Sequence, residues 1–217
     1  MGYFITFEGV EGCGKTTQVK LLAERLTAHG FAVVLTREPG GCPIADKIRT
    51  ILLDADNRGM SPAAELLLYA ASRAQHVSDV ILPALSADQV VICDRFCDAT
   101  LAYQGFGRGI ERSLIESLNA HACQGVAPDL TILIDVDPFV GLQRARRRIE
   151  SGSGPREERF ELEELAFHKR VRFGYHQLAS AEARRITVID GGDVIEDIAA
   201  TIAVQVLARI PETLRAV

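Results

Sequence analysis

Apolar and polar positions follow two different patterns along the chain. Short continuous apolar runs, typical of strands that are buried on both faces, occur at residues 3–7, 31–36, 89–93, 130–135 and 185–190. Longer segments repeat apolar residues every three to four positions, which predicts helices at residues 15–29, 43–53, 61–85, 110–123, 138–149, 160–178 and 194–208. Strands joined by helix-length connections form parallel sheets with helices on both faces. The sequence therefore predicts an α/β fold with a doubly wound parallel sheet.

Residues 1–217 are predicted to form a single domain. Of the 217 residues, 47% are hydrophobic and 24% charged, which fits one α/β domain with a sizeable core and excludes a disordered or coiled-coil chain. No segment has the composition of a domain linker. The Ser-Gly-Ser-Gly-Pro stretch at residues 151–155 lies between two arginine-bearing helical patterns. It predicts a mobile, arginine-bearing lid at about residues 145–160.

Charge and cysteine content argue against a nucleic-acid-binding protein and against a secreted protein with disulfide bonds. The formal net charge of −5 argues against a broad electrostatic surface for nucleic acid. The 5 cysteines form neither an even set nor a zinc-type CxxC pattern, which is typical of a reducing, cytoplasmic compartment. No apolar run approaches the roughly 20 residues needed to span a bilayer, so no membrane association is expected.

A phosphate-binding motif occupies residues 9–16. These residues read Gly-Val-Glu-Gly-Cys-Gly-Lys-Thr and match G-x-x-x-x-G-K-[ST] between a predicted strand and a predicted helix. Backbone N–H groups of such a loop bind phosphate, Lys15 reaches the outer phosphates, and the Thr16 hydroxyl can bind Mg²⁺. The residues predicted to bind ATP are Gly9, Val10, Glu11, Gly12, Cys13, Gly14, Lys15, Thr16 and Thr17.

An acidic residue and a basic residue follow the predicted strand at 89–93. Asp94 suits the coordination shell of Mg²⁺, and Arg95 suits a clamp on phosphate. A cation beside the metal-binding carboxylate indicates phosphoryl transfer between two ligands that both carry phosphate. The guanine-reading motif Asn-Lys-x-Asp does not occur in the sequence, so a GTPase is not favoured.

Several segments of the chain resemble the bacterial thymidylate kinases. They occur in the family's order and cover nearly the whole chain, at residues 7–18, 37–41, 67–73, 94–96, 102–105, 107–109 and 158–161. The resemblance implies a fold of the P-loop NTPase type and an enzyme that uses ATP and Mg²⁺ to phosphorylate dTMP to dTDP. It also implies a homodimer, for which residues 110–118, Cys123 and Val126 are candidate subunit contacts.

The same resemblance assigns residues to the acceptor nucleotide. Tyr69 is expected to stack on the thymine ring. Arg73 and Gln104 are expected to hydrogen-bond the edge of the base, and Tyr103 is expected to favour a deoxyribose. The other expected substrate contacts are Glu11, Glu38, Pro39, Arg49, Arg95 and Thr100.

The residues predicted to be catalytic all carry a positive charge. The loop at residues 9–14 contains no arginine, which resembles the family subgroup whose lid supplies the catalytic arginine. Several arginines flank the lid, and the two that follow its flexible stretch, Arg156 and Arg159, are the candidates. Lys15 and Arg95 complete the predicted catalytic set.

Two other functions remain open on the sequence alone. Another nucleoside or nucleotide kinase, such as a deoxynucleoside kinase, would use the same phosphate loop and the same Asp-Arg pair. A nucleotide-dependent switch would hydrolyse ATP slowly to change partners, but it leaves the base-reading residues unexplained. The preference between dTMP and dUMP is not decided by the residues, because one methyl group in a pocket is worth only about 1–3 kcal/mol.

Overall fold

A five-stranded parallel sheet forms the centre of the chain. The structure, a computed structural model, describes residues 2–150 and 159–215. The strands are β1 (Tyr3–Glu8), β2 (Val33–Arg37), β3 (Val90–Asp94), β4 (Leu130–Asp135) and β5 (Ile186–Asp190). They lie in the order β2-β3-β1-β4-β5, and every neighbouring pair is parallel. The predicted fold class is confirmed.

Helices connect the strands and cover the sheet. They are α1 (Lys15–Ala28), α2 (Pro43–Leu53), α3 (Pro62–His76), α4 (Leu82–Ser86), α5 (Cys97–Thr100), α6 (Arg112–Cys123), α7 (Pro138–Glu150), α8 (Leu165–Ala181) and α9 (Ile195–Leu207). A π-helical turn at Val77–Ile81 joins α3 to α4, so the single helix predicted at 61–85 is one continuous helical run. None of the described helices is long and apolar enough to cross a membrane.

Two helical segments differ from the prediction. Residues 97–107, for which no element was predicted, form α5 and a second π-helical turn at Leu101–Gly107. Helix α8 begins at Leu165 instead of residue 160, because the preceding residues form turns that bury Phe160. Both differences arise from packing between segments that are distant in sequence.

Alternate residues of the central strands enter two cores. Ile5 and Phe7 of β1 pack in the core that contains residues of α1 and α9, whereas Phe4 packs in a second core with Val77 and Ile81. Successive strand residues point to opposite faces of a sheet, so burial on both faces produces the continuous apolar runs. The carboxyl ends of β1, β2 and β3 lie side by side, and the loops after these strands carry most of the motif residues.

Candidate active site

A cleft of about 930 Å³ opens at the carboxyl edge of the sheet. Most of the residues predicted from the sequence line it, namely Glu11, Gly12, Cys13, Gly14, Lys15, Thr16, Thr17, Glu38, Pro39, Arg49, Tyr69, Arg73, Asp94, Arg95, Thr100, Tyr103 and Gln104. Gly9 and Val10, at the start of the loop, are not in the lining, and their carbonyl oxygens accept hydrogen bonds from Lys15. Arg159 is outside the lining, and Arg156 lies outside the described residues.

The phosphate loop between β1 and α1 depends on glycine. Gly12 and Gly14 have φ angles of +66° and +98°, in the left-handed region that glycine enters without steric cost. Lys15 folds back over the loop, and its Nζ donates to the carbonyl oxygens of Gly9 and Val10 at 2.9 and 3.0 Å. The ammonium group is therefore held in the concavity where a ligand's outer phosphates would lie.

The outer side of this loop touches α7 backbone to backbone. A Cβ atom on Gly12 would collide with the carbonyl oxygen of Gly141, and one on Gly141 would collide with the carbonyl oxygen of Glu11. Both positions require a residue without a side chain. The loop and the first turns of α7 are therefore packed as one unit.

Two oxygen-bearing side chains meet beside the loop. The Thr16 hydroxyl donates to Oδ2 of Asp94 at 3.0 Å, and both residues line the cleft. Mg²⁺ prefers oxygen ligands and usually takes only one or two carboxylates, with water and substrate phosphate in its other positions. The chemistry of this pair therefore fits a magnesium ion that is bound together with ATP.

Arg95 is fixed from several sides. Its φ angle of +72° is uncommon for a residue other than glycine. Its guanidinium donates to Glu11 Oε1 at 3.1 Å, to the Tyr103 hydroxyl at 2.9 Å and to the Tyr175 hydroxyl at 3.2 Å. The guanidinium carbon also lies 4.7 Å from the centroid of the Tyr103 ring. These contacts hold the unusual backbone in place and aim the cation into the cleft.

Glu11 is the anionic partner of this cluster. It also accepts hydrogen bonds from the Tyr103 hydroxyl at 2.6 Å and from His168 Nδ1 at 3.0 Å. Burial alone would raise the pKa of Glu11, but the hydrogen bond from His168 and the charges of Arg95 and Lys15 lower it to about 2. Glu11 therefore remains a carboxylate at neutral pH, and it can accept a hydrogen bond from a substrate hydroxyl.

Glu8 lies buried beneath Arg95 at the end of β1. Its Oε1 accepts from the backbone N–H of Phe96 at 2.8 Å, and its Oε2 accepts from the Tyr175 hydroxyl at 2.7 Å. Burial, together with the negative charge of Asp98, raises the pKa of Glu8 from 4.5 to about 7. This carboxyl group therefore titrates near neutral pH.

We expect Glu8 to make the free energy of unfolding depend on pH. Because the pKa of Glu8 is higher in the folded chain than in the unfolded chain, its stabilisation is complete below pH 4.5 and is lost as the pH rises through about 7. The loss amounts to at most about 3 kcal/mol. Urea unfolding at pH 4.5 and pH 8 measures it. The Glu8→Gln variant, which keeps an oxygen acceptor for Phe96, is expected to lose less stability over this range. An equal loss in both proteins would contradict this expectation.

The loop after β2 is held by side chains of two helices. Arg49 of α2 donates to the carbonyl oxygen of Pro39 at 2.8 Å. On the other side, Glu38 accepts from Arg73 Nε at 2.8 Å and pairs with His76 Nδ1 at 3.0 Å. The loop therefore forms a fixed wall of the cleft.

Arg73 has a larger structural role than the sequence predicted. It is buried, and it donates to Asn119 Oδ1 at 2.7 Å and to the Thr100 hydroxyl at 3.0 Å, in addition to Glu38. Its side chain still lines the cleft. Arg73 therefore positions Glu38 and Thr100 while it remains within reach of a ligand.

Aromatic rings and one amide form the inner end of the cleft. The Phe160 ring centroid lies 6.5 Å from that of Tyr69 and 5.4 Å from that of Tyr103. Beside them, Gln104 Nε2 donates to Glu65 at 2.7 Å. A slot with aromatic walls and an amide at its edge suits a planar heterocycle.

Arg159 does not occupy the catalytic position predicted for it. Its guanidinium donates to the carbonyl oxygen of Leu52 and to Glu65 Oε2, the latter at 2.6 Å. It also lies 4.6 Å from the Phe160 ring, and only 5% of the residue is exposed. A side chain committed to a buried ion pair is held away from the phosphate loop. Arg144 of α7 does line the cleft, and it donates to the carbonyl oxygen of Gly191 at 3.3 Å.

The sequence alone did not identify the residues of α8 that hydrogen-bond Glu11 and Glu8. His168 and Tyr175 of α8 bind Glu11 and Glu8, respectively. They are two helical turns apart and therefore lie on one face of the helix, which is the signal that could have identified them. Glu65 carried no such signal, because its partners are far away in sequence.

The comparisons with known proteins agree with this geometry. The family model described as thymidylate kinase matches residues 7–202. The thymidylate kinase of Pelobacter propionicus is 64% identical over 207 residues, covering 95% of this chain and 94% of that protein. The thymidylate kinase of Geotalea uraniireducens is 59% identical, covering 98% and 100%. The crystal structure of thymidylate kinase from Ehrlichia chaffeensis superposes with a TM-score of 0.74 at 37% identity, covering 95% and 98%. The chain therefore belongs to the thymidylate kinase family and is a nucleoside monophosphate kinase.

Proposed function

We propose that the chain transfers the γ-phosphoryl group of ATP to the phosphate of dTMP within this cleft. A phosphate oxygen of dTMP forms the new bond to the γ-phosphorus, the bond to the β–γ bridging oxygen breaks, and dTDP and ADP are released. One observation carries the proposal. The phosphate loop, the Asp94–Arg95 pair and the slot beside Tyr69 and Gln104 line the same cleft.

The donor side of the site is formed by the loop and its neighbours. Lys15 and the loop N–H groups hold the outer phosphates of ATP, and Thr16 and Asp94 hold Mg²⁺. When bound, Mg²⁺ neutralises charge on the phosphates. The attacking oxygen of dTMP is already ionised at neutral pH, so positioning and charge neutralisation carry the reaction without a strong base.

The acceptor side combines cations with the aromatic slot. Arg95 and Arg49 bind the phosphate of dTMP, and Glu11 accepts from its 3′-hydroxyl. Tyr69 stacks on the base. Tyr103, whose hydroxyl donates a hydrogen bond to Glu11, disfavours a 2′-hydroxyl on the sugar of the acceptor nucleotide. The remaining proposed contacts come from Glu38, Pro39, Arg73, Thr100 and Gln104, all of which line the cleft.

The arginine that approaches the transferred phosphoryl group is proposed to come from the lid. Arg156 is the candidate, because the phosphate loop contains no arginine and Arg159 is bound to Glu65. Arg144 adds a second cation at the cleft from α7. In this proposal the chain belongs to the subgroup with a lid arginine.

The enzyme is also proposed to be a cytoplasmic homodimer. Its five cysteines are free thiols, as in reducing compartments. Leu67 on α3 and Leu114 on α6 are 56% and 49% exposed on two helices that pack together, and they offer an apolar surface to a second copy. Cys123 and Val126 lie in the chain's own core and are dropped as subunit contacts. Sedimentation velocity measures the state, and a monomer at micromolar concentration would contradict the proposal.

A coupled assay of ADP release tests the reaction. With ATP and Mg²⁺, turnover with dTMP is expected to exceed turnover with thymidine, or without acceptor, by at least about a hundredfold, because an acceptor that lacks phosphate forms no charge-assisted hydrogen bonds with Arg95 and Arg49. The rate with dUMP then measures the contribution of the thymine methyl group. Equal ADP release with and without acceptor would overturn the kinase assignment in favour of a hydrolytic switch. Activity on thymidine alone would point to a nucleoside kinase.

A further inference from the structure

Glu65 is a buried carboxylate at the meeting point of three segments. The residue is 1% exposed, and it lies on α3 behind the aromatic end of the cleft. It accepts from Gln104 Nε2 at 2.7 Å, from Arg108 Nε and Nη2 at 3.2 and 3.1 Å, and from Arg159 Nη1 at 2.6 Å. The proposed phosphoryl transfer uses neither Glu65 nor Arg108, so this cluster requires a separate explanation.

The cluster keeps Glu65 ionised. Burial alone would raise the pKa of Glu65, but the hydrogen bonds from Arg108 and Gln104 and the charge of Arg159 lower it. An ionised carboxylate has acceptor oxygens and no donor. Any group that hydrogen-bonds to Glu65 must therefore present an N–H or O–H.

This requirement fixes the direction of the Gln104 amide. The NH₂ end must face Glu65, which leaves the carbonyl oxygen Oε1 as the group that Gln104 can offer to the cleft it lines. Gln104 is itself 1% exposed, so the amide cannot turn over without breaking this hydrogen bond inside the protein. The inner end of the cleft therefore presents an acceptor at a fixed position.

We propose that Glu65 determines which pyrimidine the enzyme accepts, by holding the Gln104 carbonyl oxygen toward the base. N3 of thymine or uracil carries a hydrogen that it can donate to this oxygen. N3 of cytosine is an acceptor, so cytosine would place two acceptors opposite each other. Glu65 is thus a positioning residue for base recognition, and the inference rests on the proposed function of the cleft as a dTMP site.

The Glu65→Gln variant tests this role. A glutamine at position 65 has both a donor and an acceptor, so the Gln104 amide becomes free to turn its NH₂ group toward the base. We expect kcat/KM for dTMP to fall about tenfold, mainly through KM, and the ratio of kcat/KM for dCMP to that for dTMP to rise about tenfold or more. KM for ATP is expected to change by less than about twofold, because Glu65 lies apart from the phosphate loop.

Arg108→Gln is the matched control. It removes another partner of Glu65 and the ion pair with Glu163, but it leaves Glu65 and Gln104 in place. We expect the dCMP/dTMP ratio of this variant to equal that of the wild type, even where its melting temperature falls. A rise in the ratio as large as that of Glu65→Gln would overturn the proposal in favour of a general loosening of the cluster.

A double variant tests whether Glu65 acts through Gln104. In a Gln104→Leu background there is no amide to orient, so adding Glu65→Gln is expected to leave the dCMP/dTMP ratio unchanged. An additional rise of about tenfold there would overturn the proposed route. Should Glu65→Gln fail to fold, Glu65→Asp keeps the charge for both arginines but withdraws the carboxylate from Gln104, and its ratio is expected to rise as well.

The two proposals fail in different ways. A wild-type enzyme that turns over dTMP, combined with an unchanged dCMP/dTMP ratio in folded Glu65→Gln or Glu65→Asp, would overturn the role of Glu65 alone. A wild-type enzyme that does not turn over dTMP would overturn the proposed function, and with it the role of Glu65. A dCMP/dTMP ratio that rises in the Glu65 variants and not in Arg108→Gln supports both the proposed function and the role of Glu65.

Discussion

Arg95→Ala is expected to lower kcat at least about 10³-fold while KM for ATP changes by less than about threefold. Arg95 follows β3 and pairs with Glu11 of the phosphate loop, and it is proposed to hold the acceptor phosphate and to neutralise charge in the transition state. Its loss therefore removes stabilisation of the transition state, but it leaves Lys15 and the loop N–H groups that are proposed to bind ATP in place. Steady-state kinetics with dTMP measure the change, and the variant should keep more than a tenth of the wild-type kcat only if the assigned role is wrong.

Arg95→Lys is the control for this result. Lysine keeps the positive charge beside Glu11 but lacks the planar fork that contacts Glu11, Tyr103 and Tyr175 together. An intermediate kcat is expected, well below that of the wild type and above that of Arg95→Ala. Thermal unfolding of both variants separates a loss of catalysis from a loss of fold. Equal activity of lysine and arginine here would show that charge alone is required.

Gly141→Ala is expected to weaken ATP binding at least about tenfold, although it leaves every residue of the phosphate motif unchanged. On helix propensity alone, alanine in place of glycine would stabilise α7 by about 1 kcal/mol. Here the new Cβ would collide with the carbonyl oxygen of Glu11, and overpacking of this kind costs about 1–3 kcal/mol or more. The collision outweighs the gain, so the melting temperature is expected to fall and KM for ATP to rise.

Gly59→Ala provides the comparison. A Cβ atom at position 59 would meet nothing within 4 Å, so this variant reports the glycine-to-alanine change without a collision. We expect its KM for ATP and its melting temperature to stay close to those of the wild type. If Gly141→Ala were as active and as stable as Gly59→Ala, the backbone contact between the loop and α7 would not shape the ATP site.

The central strands β1, β3 and β4 were predictable from the sequence because they are buried on both faces and form continuous apolar runs. The edge strands β2 and β5 were predicted from similar runs, although Leu35 and Val188 are exposed in the structure. Residues 97–107 were not, since Gly105 and Gly107 lower helix propensity within that segment. Their place in a helical turn is explained by packing, because a Cβ on Gly107 would meet the Phe167 ring of α8. Local preference was overridden there by a contact with a helix distant in sequence.

In the candidate site, too, residues of contiguous motifs were predictable from the sequence, whereas residues whose partners are distant in sequence were not. Lys15, Thr16, Asp94 and Arg95 belong to contiguous motifs, and in the structure they line one cleft. The difference at Arg159 arose because a lid arginine that binds phosphate and one that binds a buried carboxylate look alike in a sequence. Glu65, its partner, lies in an ordinary helical pattern, and only the fold shows that two arginines and an amide meet there.

The contact between Gly12 and Gly141 fixes the distance between the phosphate loop and α7. Arg144 follows Gly141 by less than one helical turn, so the separation of the loop and α7 also sets how far this cation stands from the phosphates that the loop is proposed to hold. A single methyl group at either glycine would increase the distance between the loop and α7. Because a misplacement of about 1 Å can cost about a hundredfold in rate, the close approach of Gly12 and Gly141 is expected to matter for the proposed phosphoryl transfer as well as for packing.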